Sequence, residues 1–349
     1  MPLRITGLDL LRIISMLSIV FLHILGFGGI LENIQLNSSD YFIYWNINIV
    51  SYSLVNCFGL ITGYFLSSSE ISLYKLTKLW EKVTFYSVII TLLMVYFLKK
   101  MSILILVKSF FPILFNQYWY FTAYFIMIII VRLFNLEFSK LSIIRMFQIV
   151  AILIIMFSIL GSFSFVDSME VKNGYSFIWL ICLFMIGALI RKLIDDGRIN
   201  LRKKNLITLL IVTQLVIFLF KLTVDNLTKL ILGHSYGGSF LIRYNSPLIL
   251  LISIIIFILF LNIQIRKEMT RNFFHFLSSY CFSVYLIHAN SNVLDTFFKD
   301  KFIFIASTNL FCGIFIVFLS AITIFTVCIT IDFCLVNLYL KIIKNKESQ

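Results

Sequence analysis

Residues 7–31 read GLDLLRIISMLSIVFLHILGFGGIL. From Leu11 to Leu31, Arg12 apart, the polar residues are Ser15, Ser18 and His23 alone. That run has the length of helix, ~20 residues, needed to cross a hydrocarbon core of about 30 Å. Comparable runs follow at 42–66, 83–98, 117–134, 146–165, 175–190, 205–222, 246–264, 273–292 and 306–338. The pattern predicts an all-α polytopic membrane protein of about ten transmembrane helices. It has one transmembrane domain over 1–340 and a short tail, 341–349. The apolar stretch 101–115, with Pro112 inside it, is too short to cross and is predicted to lie at the interface or re-enter. No small-residue cleavage site precedes Glu32, so the first run is expected to be a retained helix.

Composition agrees. Hydrophobic residues make up 60% of the 349 and charged residues 13%, about half the charge of an ordinary soluble domain. The net charge of +13 does not point to nucleic acid, because the basic residues sit in the breaks between apolar runs. With Arg4 and Arg12 on the cytoplasmic side, ten crossings leave Lys99, Lys100, Lys108, Lys172, Lys221, Lys229, Arg243, Lys299 and Lys301 outside. The other 20 of the 29 Lys and Arg fall inside. That bias predicts a multi-pass plasma-membrane protein with both termini cytoplasmic.

The six cysteines fall in apolar runs without a C-x-x-C, and the four histidines lack ligand spacing. Neither a disulfide framework nor a metal site is expected. The glycines at 233–238 read as turn chemistry in a loop over 223–245, and no P-loop motif is present.

An ionisable residue inside a spanning helix is costly, which makes it a candidate for function. Asp9, Arg12, Met16, Val20 and His23 are spaced to share one face of the first helix. Arg12 and Asp9 lie at its cytoplasmic edge, where the plainer reading of the pair is an interfacial anchor. His23 lies about 16 Å deeper at 1.5 Å per residue. The plainer reading of His23 is a core histidine bonded to a neighbouring helix. The functional reading is an imidazole that takes and returns a proton.

The residues Gly7-Leu8-Asp9-Leu10-Leu11-Arg12, followed after ten residues by His23, resemble the Arg-x10-His signature of the acyltransferase-3 family of integral membrane acyltransferases. Phe58-Gly59-Leu60-Ile61-Thr62-Gly63-Tyr64-Phe65 is similar to that family's segment ending the second helix. Tyr118-Trp119-Tyr120-Phe121-Thr122-Ala123-Tyr124 resembles the segment entering the fourth, and Ser283-Val284-Tyr285-Leu286-Ile287-His288 the one near the ninth.

The resemblance implies acyl transfer, commonly acetyl, from acyl-coenzyme A to a hydroxyl of a cell-envelope polysaccharide such as a capsule, exopolysaccharide or O-antigen. On that reading acetyl-coenzyme A is a co-substrate and no cofactor is bound. The partners are membrane lipid and an envelope glycan, lipid-linked or free. The catalytic set it implies is His23, Arg12 and Asp9: His23 is general base or transient acyl carrier, Arg12 holds a donor oxygen or phosphate, and Asp9 orients Arg12. Trp119, Tyr120, Tyr124 and His288 are candidates for the acceptor, against an aromatic belt for the first three and a structural role for His288. Lys75, Lys78 and Lys82, where the family often has arginines, and Arg202, Lys203 and Lys204 are candidates for the donor's phosphates, against a topology signal. Lysine binds phosphate as a point charge. Where the family often has a proline after the fourth helix, this chain has Arg132-Leu133-Phe134-Asn135. The larger members carry an extracytoplasmic esterase-like domain, so transfer is here expected within the membrane. High Ile, Phe, Lys and Asn usage resembles an AT-rich bacterial genome. A lipid-linked glycan flippase, another transporter, or a glycan polymerase is the rival class.

Overall fold

The structure is a computed structural model and describes residues 5–67, 72–98, 103–133, 140–163, 169–198 and 202–347. Arg4, Lys99, Lys100 and Phe134-Asn135 lie outside the described residues. Ten long helices are present among the described residues: α1 Thr6–Leu22, α2 Ser39–Leu66, α3 Leu73–Leu98, α4 Trp119–Leu133, α5 Ile143–Leu153, α6 Phe177–Asp195, α7 Lys203–Leu232, α8 Pro247–Leu261, α9 Glu268–His288 and α10 Leu310–Glu347. No strand occurs among the described residues. Among the described residues, seven helical segments are long and apolar enough to cross a membrane, and α4 and α8 are shorter apolar helices. The chain is an all-α, multi-pass membrane protein. α9, with 21 residues, carries Ser278, Ser283 and His288, all buried inside the protein.

Helix starts follow local chemistry. Ser38, Ser142 and Ser176 accept hydrogen bonds from backbone N–H groups of α2, α5 and α6, satisfying donors that have no partner within the helix. Pro247 opens α8, where its missing N–H costs nothing. The segment predicted as interfacial is an eight-residue helix, Ile103–Phe110, followed by turns through Pro112.

Two boundaries correct the sequence reading. α3 begins at Leu73, not near 83, so Lys75, Lys78 and Lys82 belong to a helix instead of a loop. α7 continues to Leu232, ten residues past the predicted run 205–222, so Lys229 is helical and not a loop charge. Hydropathy misses such turns because ion-paired side chains interrupt the apolar run, as where Lys221 meets Asp225 four residues on at 2.7 Å.

α1 is the central helix, packed by α2, α8, α9 and α10. Past Leu22 it widens into a π-helical turn, His23–Phe27, closed by the Gly28 N–H on the His23 carbonyl at 2.9 Å. A second π-helical turn, Leu294–Phe298, follows α9. The two are joined by backbone bonds from Asp300 N–H to the Phe27 carbonyl (2.9 Å) and Phe302 N–H to the Gly28 carbonyl (3.0 Å). Turns of this kind often mark functional positions.

α2 and α6 approach each other through glycines. A Cβ on Gly63 would stand 2.0 Å from the Phe184 carbonyl oxygen, and one on Gly187 would stand 2.2 Å from that of Leu60. The Gly59/Gly63 spacing is therefore a close-packing device, as small residues are in helix pairs within lipid. Gly63→Val is expected to destabilise the protein by about 1–3 kcal/mol or more, because the clash is with backbone. Thermal unfolding in detergent checks this, and an unchanged midpoint would rule out the interlock as a determinant of stability.

Candidate active site

A cavity of about 970 Å³ runs through the bundle alongside α1. Arg12, Met16, Ile19, Leu22, His23 and Phe27 line it in succession along that helix, and Arg12 and Glu32 are the charged lining residues. Of the residues predicted to share a face of α1, Arg12, Met16 and His23 reach the cavity. Val20 packs into a separate core cluster with Ile24 and Tyr44, and Asp9 is buried.

At one end, Arg12 Nη1 bonds Asp9 Oδ1 at 2.9 Å. The same carboxylate oxygen accepts from Ser278 Oγ of α9 at 3.1 Å. Asp9 is 2% exposed, so its carboxylate depends on these donors in place of water. The guanidinium also lies over the Phe65 ring, 5.3 Å from its centroid. Arg12 is thus held by its base while its lining face stays open to the cavity.

His23 stands further along the same wall. Its neighbour is His288 at the end of α9, with ring centroids 5.2 Å apart. His288 is 1% exposed and is not among the residues that line the cavity, which suits the structural one of its two sequence readings. Its Nδ1 donates to the Val284 carbonyl at 2.6 Å. His288 Nε2 and His23 Nδ1 are both buried without a hydrogen-bond partner. Tyr118 secures this end of α9 by donating to the Leu286 carbonyl at 2.9 Å and accepting from Asn290 at 2.8 Å.

Another part of the wall is aromatic. Trp119 stacks on Tyr244 (centroids 5.6 Å, 24° between planes) and meets Tyr175 at 4.5 Å, and Tyr52 meets Tyr244 at 4.8 Å. These four rings line the cavity, as do Trp45, Tyr120 and Tyr124. Trp119, Tyr120 and Tyr124 therefore face the cavity and are not a lipid-facing belt. Beneath Trp45, Lys221 lies 3.4 Å from the ring centroid and pairs with Asp225, which also accepts from the Tyr41 hydroxyl at 2.5 Å. Their side chains are 4% and 6% exposed.

The predicted phosphate-binding clusters separate. Lys75 and Lys78 are exposed on α3, with Lys78 bonded to Glu81 at 2.8 Å. Leu79 of the same helix lines the cavity and packs near Ile13 and Met16. Lys82 instead turns to Asp332 of α10 at 3.6 Å. That carboxylate is 3% exposed and accepts from Ser283 at 2.6 Å and from the Tyr86 hydroxyl. Arg202, Lys203 and Lys204 start α7, are exposed, and do not line the cavity.

The sequence reading missed Asp332, Trp45, Tyr52, Tyr175 and Tyr244. Asp332 carries the same signal as His23, an ionisable residue inside an apolar run. The tyrosines carry no such signal, because aromatic residues in spanning helices are common.

A cavity inside a membrane bundle, lined by a cation near one end, an imidazole and a stacking surface, is an arrangement suited to group transfer within the membrane. A family model described as "Acyltransferase domain" (Acyl_transf_3) matches residues 5–334, and the chain belongs to this acyltransferase-3 family. No curated protein and no solved structure matches the chain.

The Lys221–Asp225 pair beneath Trp45 can be tested apart from catalysis. Lys221→Met leaves a buried carboxylate without its cation and is expected to cost about 3–5 kcal/mol. Lys221→Met with Asp225→Asn is expected to recover most of that loss. Thermal unfolding in detergent distinguishes them, and an equal loss in both variants would show that the ion pair is not the source.

Proposed function

We propose that the protein is an O-acyltransferase of the bacterial plasma membrane that moves acetyl from acetyl-coenzyme A to a hydroxyl of a cell-envelope polysaccharide. The observation that carries this reading is that His23 lines the same cavity as Arg12 and the rings of Trp119, Tyr175 and Tyr244. Both termini are assigned to the cytoplasm by the positive-inside bias, which puts Arg12 at the donor's side.

The donor's thioester arm runs in past Arg12, whose guanidinium makes charge-assisted bonds to an anionic or carbonyl oxygen. Asp9 keeps that guanidinium oriented. Lys75 and Lys78 sit on the helix that brings Leu79 to the cavity and are the better placed of the basic residues for the nucleotide's phosphates. Arg202, Lys203 and Lys204 act as a topology signal. At the other end the sugar ring stacks on the aromatic wall, which gives area and orientation without charge. The carboxylate of Glu32 makes that end unfavourable for the anionic donor.

His23 acts as general base. The sugar hydroxyl oxygen attacks the thioester carbonyl carbon, and its proton passes to His23 Nε2. The carbon–sulfur bond then breaks, and His23 returns the proton to the leaving thiolate. Neither acyl transfer nor proton return needs a further reactant. A positioned base of this kind contributes roughly 10²–10⁴-fold to rate.

Membranes from cells expressing the chain, given labelled acetyl-coenzyme A, are expected to yield acetylated glycan. His23→Ala should lower that transfer at least a hundredfold at equal protein level. Full transfer by His23→Ala would remove His23 from the mechanism, and lipid-linked sugar crossing the bilayer without acyl transfer would favour a transporter. Trp119→Ala is expected to raise the acceptor's KM about tenfold while leaving the donor's KM unchanged, which steady-state kinetics with each substrate varied in turn will show.

A further inference from the structure

We infer that His288 is a positioning residue for His23: its buried Nε2 lone pair is the acceptor that the His23 Nδ1–H takes when the two rings turn to meet, selecting the tautomer whose Nε2 is bare and faces the cavity. This rests on the reading of His23 as general base, and it deepens that reading with a second residue.

The argument is one of donors and acceptors. His288 Nδ1 lies 2.6 Å from the Val284 carbonyl oxygen, and a carbonyl only accepts, so the His288 proton is on Nδ1. Neutral His288 then offers a lone pair at Nε2, an atom that is buried with no partner. Across from it, His23 Nδ1 is likewise buried with no partner. Two orphaned polar atoms in adjacent rings are costly separately and satisfied together. The rings are close enough for it: their centroids are 5.2 Å apart, and an in-line N–H···N bond of about 3 Å sets two imidazole centres about 5 Å apart, so turning the rings towards each other, without moving either helix, makes the bond that the two nitrogens lack in this structure.

The surroundings leave few alternatives. The rings packed around the pair are Phe27, whose centroid is 5.9 Å from that of His23, and Phe298, at 6.1 Å from His23 and 6.3 Å from His288. None of these offers a hydrogen-bond acceptor to compete with His288. The backbone carbonyl of His23 is occupied by the Gly28 N–H of the π-helical turn.

The chemical consequence follows. A neutral imidazole has one N–H, and fixing it on Nδ1 leaves Nε2 as the base. When His23 takes the acceptor's proton, the imidazolium keeps its Nδ1–H on His288. This is the orienting role a carboxylate plays behind a catalytic histidine, here filled by an uncharged ring, which a low-dielectric interior accommodates at lower desolvation cost.

The test uses the full-length protein in detergent with nitrogen-15 histidine. It reads the His23 ring nitrogens by NMR, the four histidines being assigned with His23→Gln. Native His23 is expected to show a protonated Nδ1 and a bare Nε2. His288→Phe, which keeps a ring in the pocket, should shift the proton towards Nε2 and lower kcat on the order of a hundredfold with the donor's KM unchanged. His288→Gln, whose amide oxygen accepts, should retain most of both signals. A native His23 protonated on Nε2, or a tautomer unmoved in His288→Phe, would overturn the inference. The native spectrum decides it even if His288→Phe does not fold. Tautomer selection in a protein that transfers no acyl group would leave the inference standing and sink the proposed function instead.

Discussion

Inside a bundle bounded by lipid, a buried polar group has no water to turn to, so polar side chains must satisfy one another. Asp9 is where that constraint acts most directly on this protein. One buried carboxylate oxygen accepts from Arg12 on its own helix and from Ser278 on α9. A second carboxylate, Asp332, holds α9 from the opposite side through Ser283 and reaches α3 through Tyr86 and Lys82. With both anchors in place α9 cannot slide along α1. A slip of one helical turn, about 5.4 Å, would break both carboxylate contacts and part His288 from His23.

The aromatic wall depends on a different kind of packing. Small residues let α2 and α6 touch through their backbones, at Gly63 and Gly187. That closeness brings Trp179 of α6 against Asn56 of α2, whose amide accepts from the indole at 3.1 Å and donates to the Tyr244 carbonyl at 2.9 Å. Tyr244 is then fixed beneath Trp119, Tyr175 and Tyr52. A stacking surface assembled from four separate segments is therefore set by one amide and a glycine contact remote from the cavity.

Charge is distributed sparingly along the cavity. Arg12 and Glu32 are its charged lining residues, while Lys221 is drawn into a buried pair with Asp225 and the half-buried Lys82 is turned to Asp332. Neutralising those lysines leaves the lining between its two ends to imidazole, hydroxyls and rings. Such a passage suits an uncharged reacting centre between two ends of opposite sign.

Much of this was legible in the residues, and the division follows the range of the forces involved. Helix existence depends on runs of apolar residues within one segment, so the all-α membrane fold and the shared face of Arg12 and His23 could be read directly. Boundaries at Leu73 and Leu232 could not, because hydropathy falls where ion pairs take the place of apolar side chains. Asp332 stood in plain view inside an apolar run and obeyed the same rule as His23. The partnership of His23 with His288, 265 positions apart, and the convergence of Tyr52, Trp119, Tyr175 and Tyr244 were decided only by tertiary structure. Sequence alone determined which residues would be costly to bury; only the packing of α9 on α1 and of α2 on α6 decided which of them would meet, because satisfying a buried polar atom requires a partner from another helix.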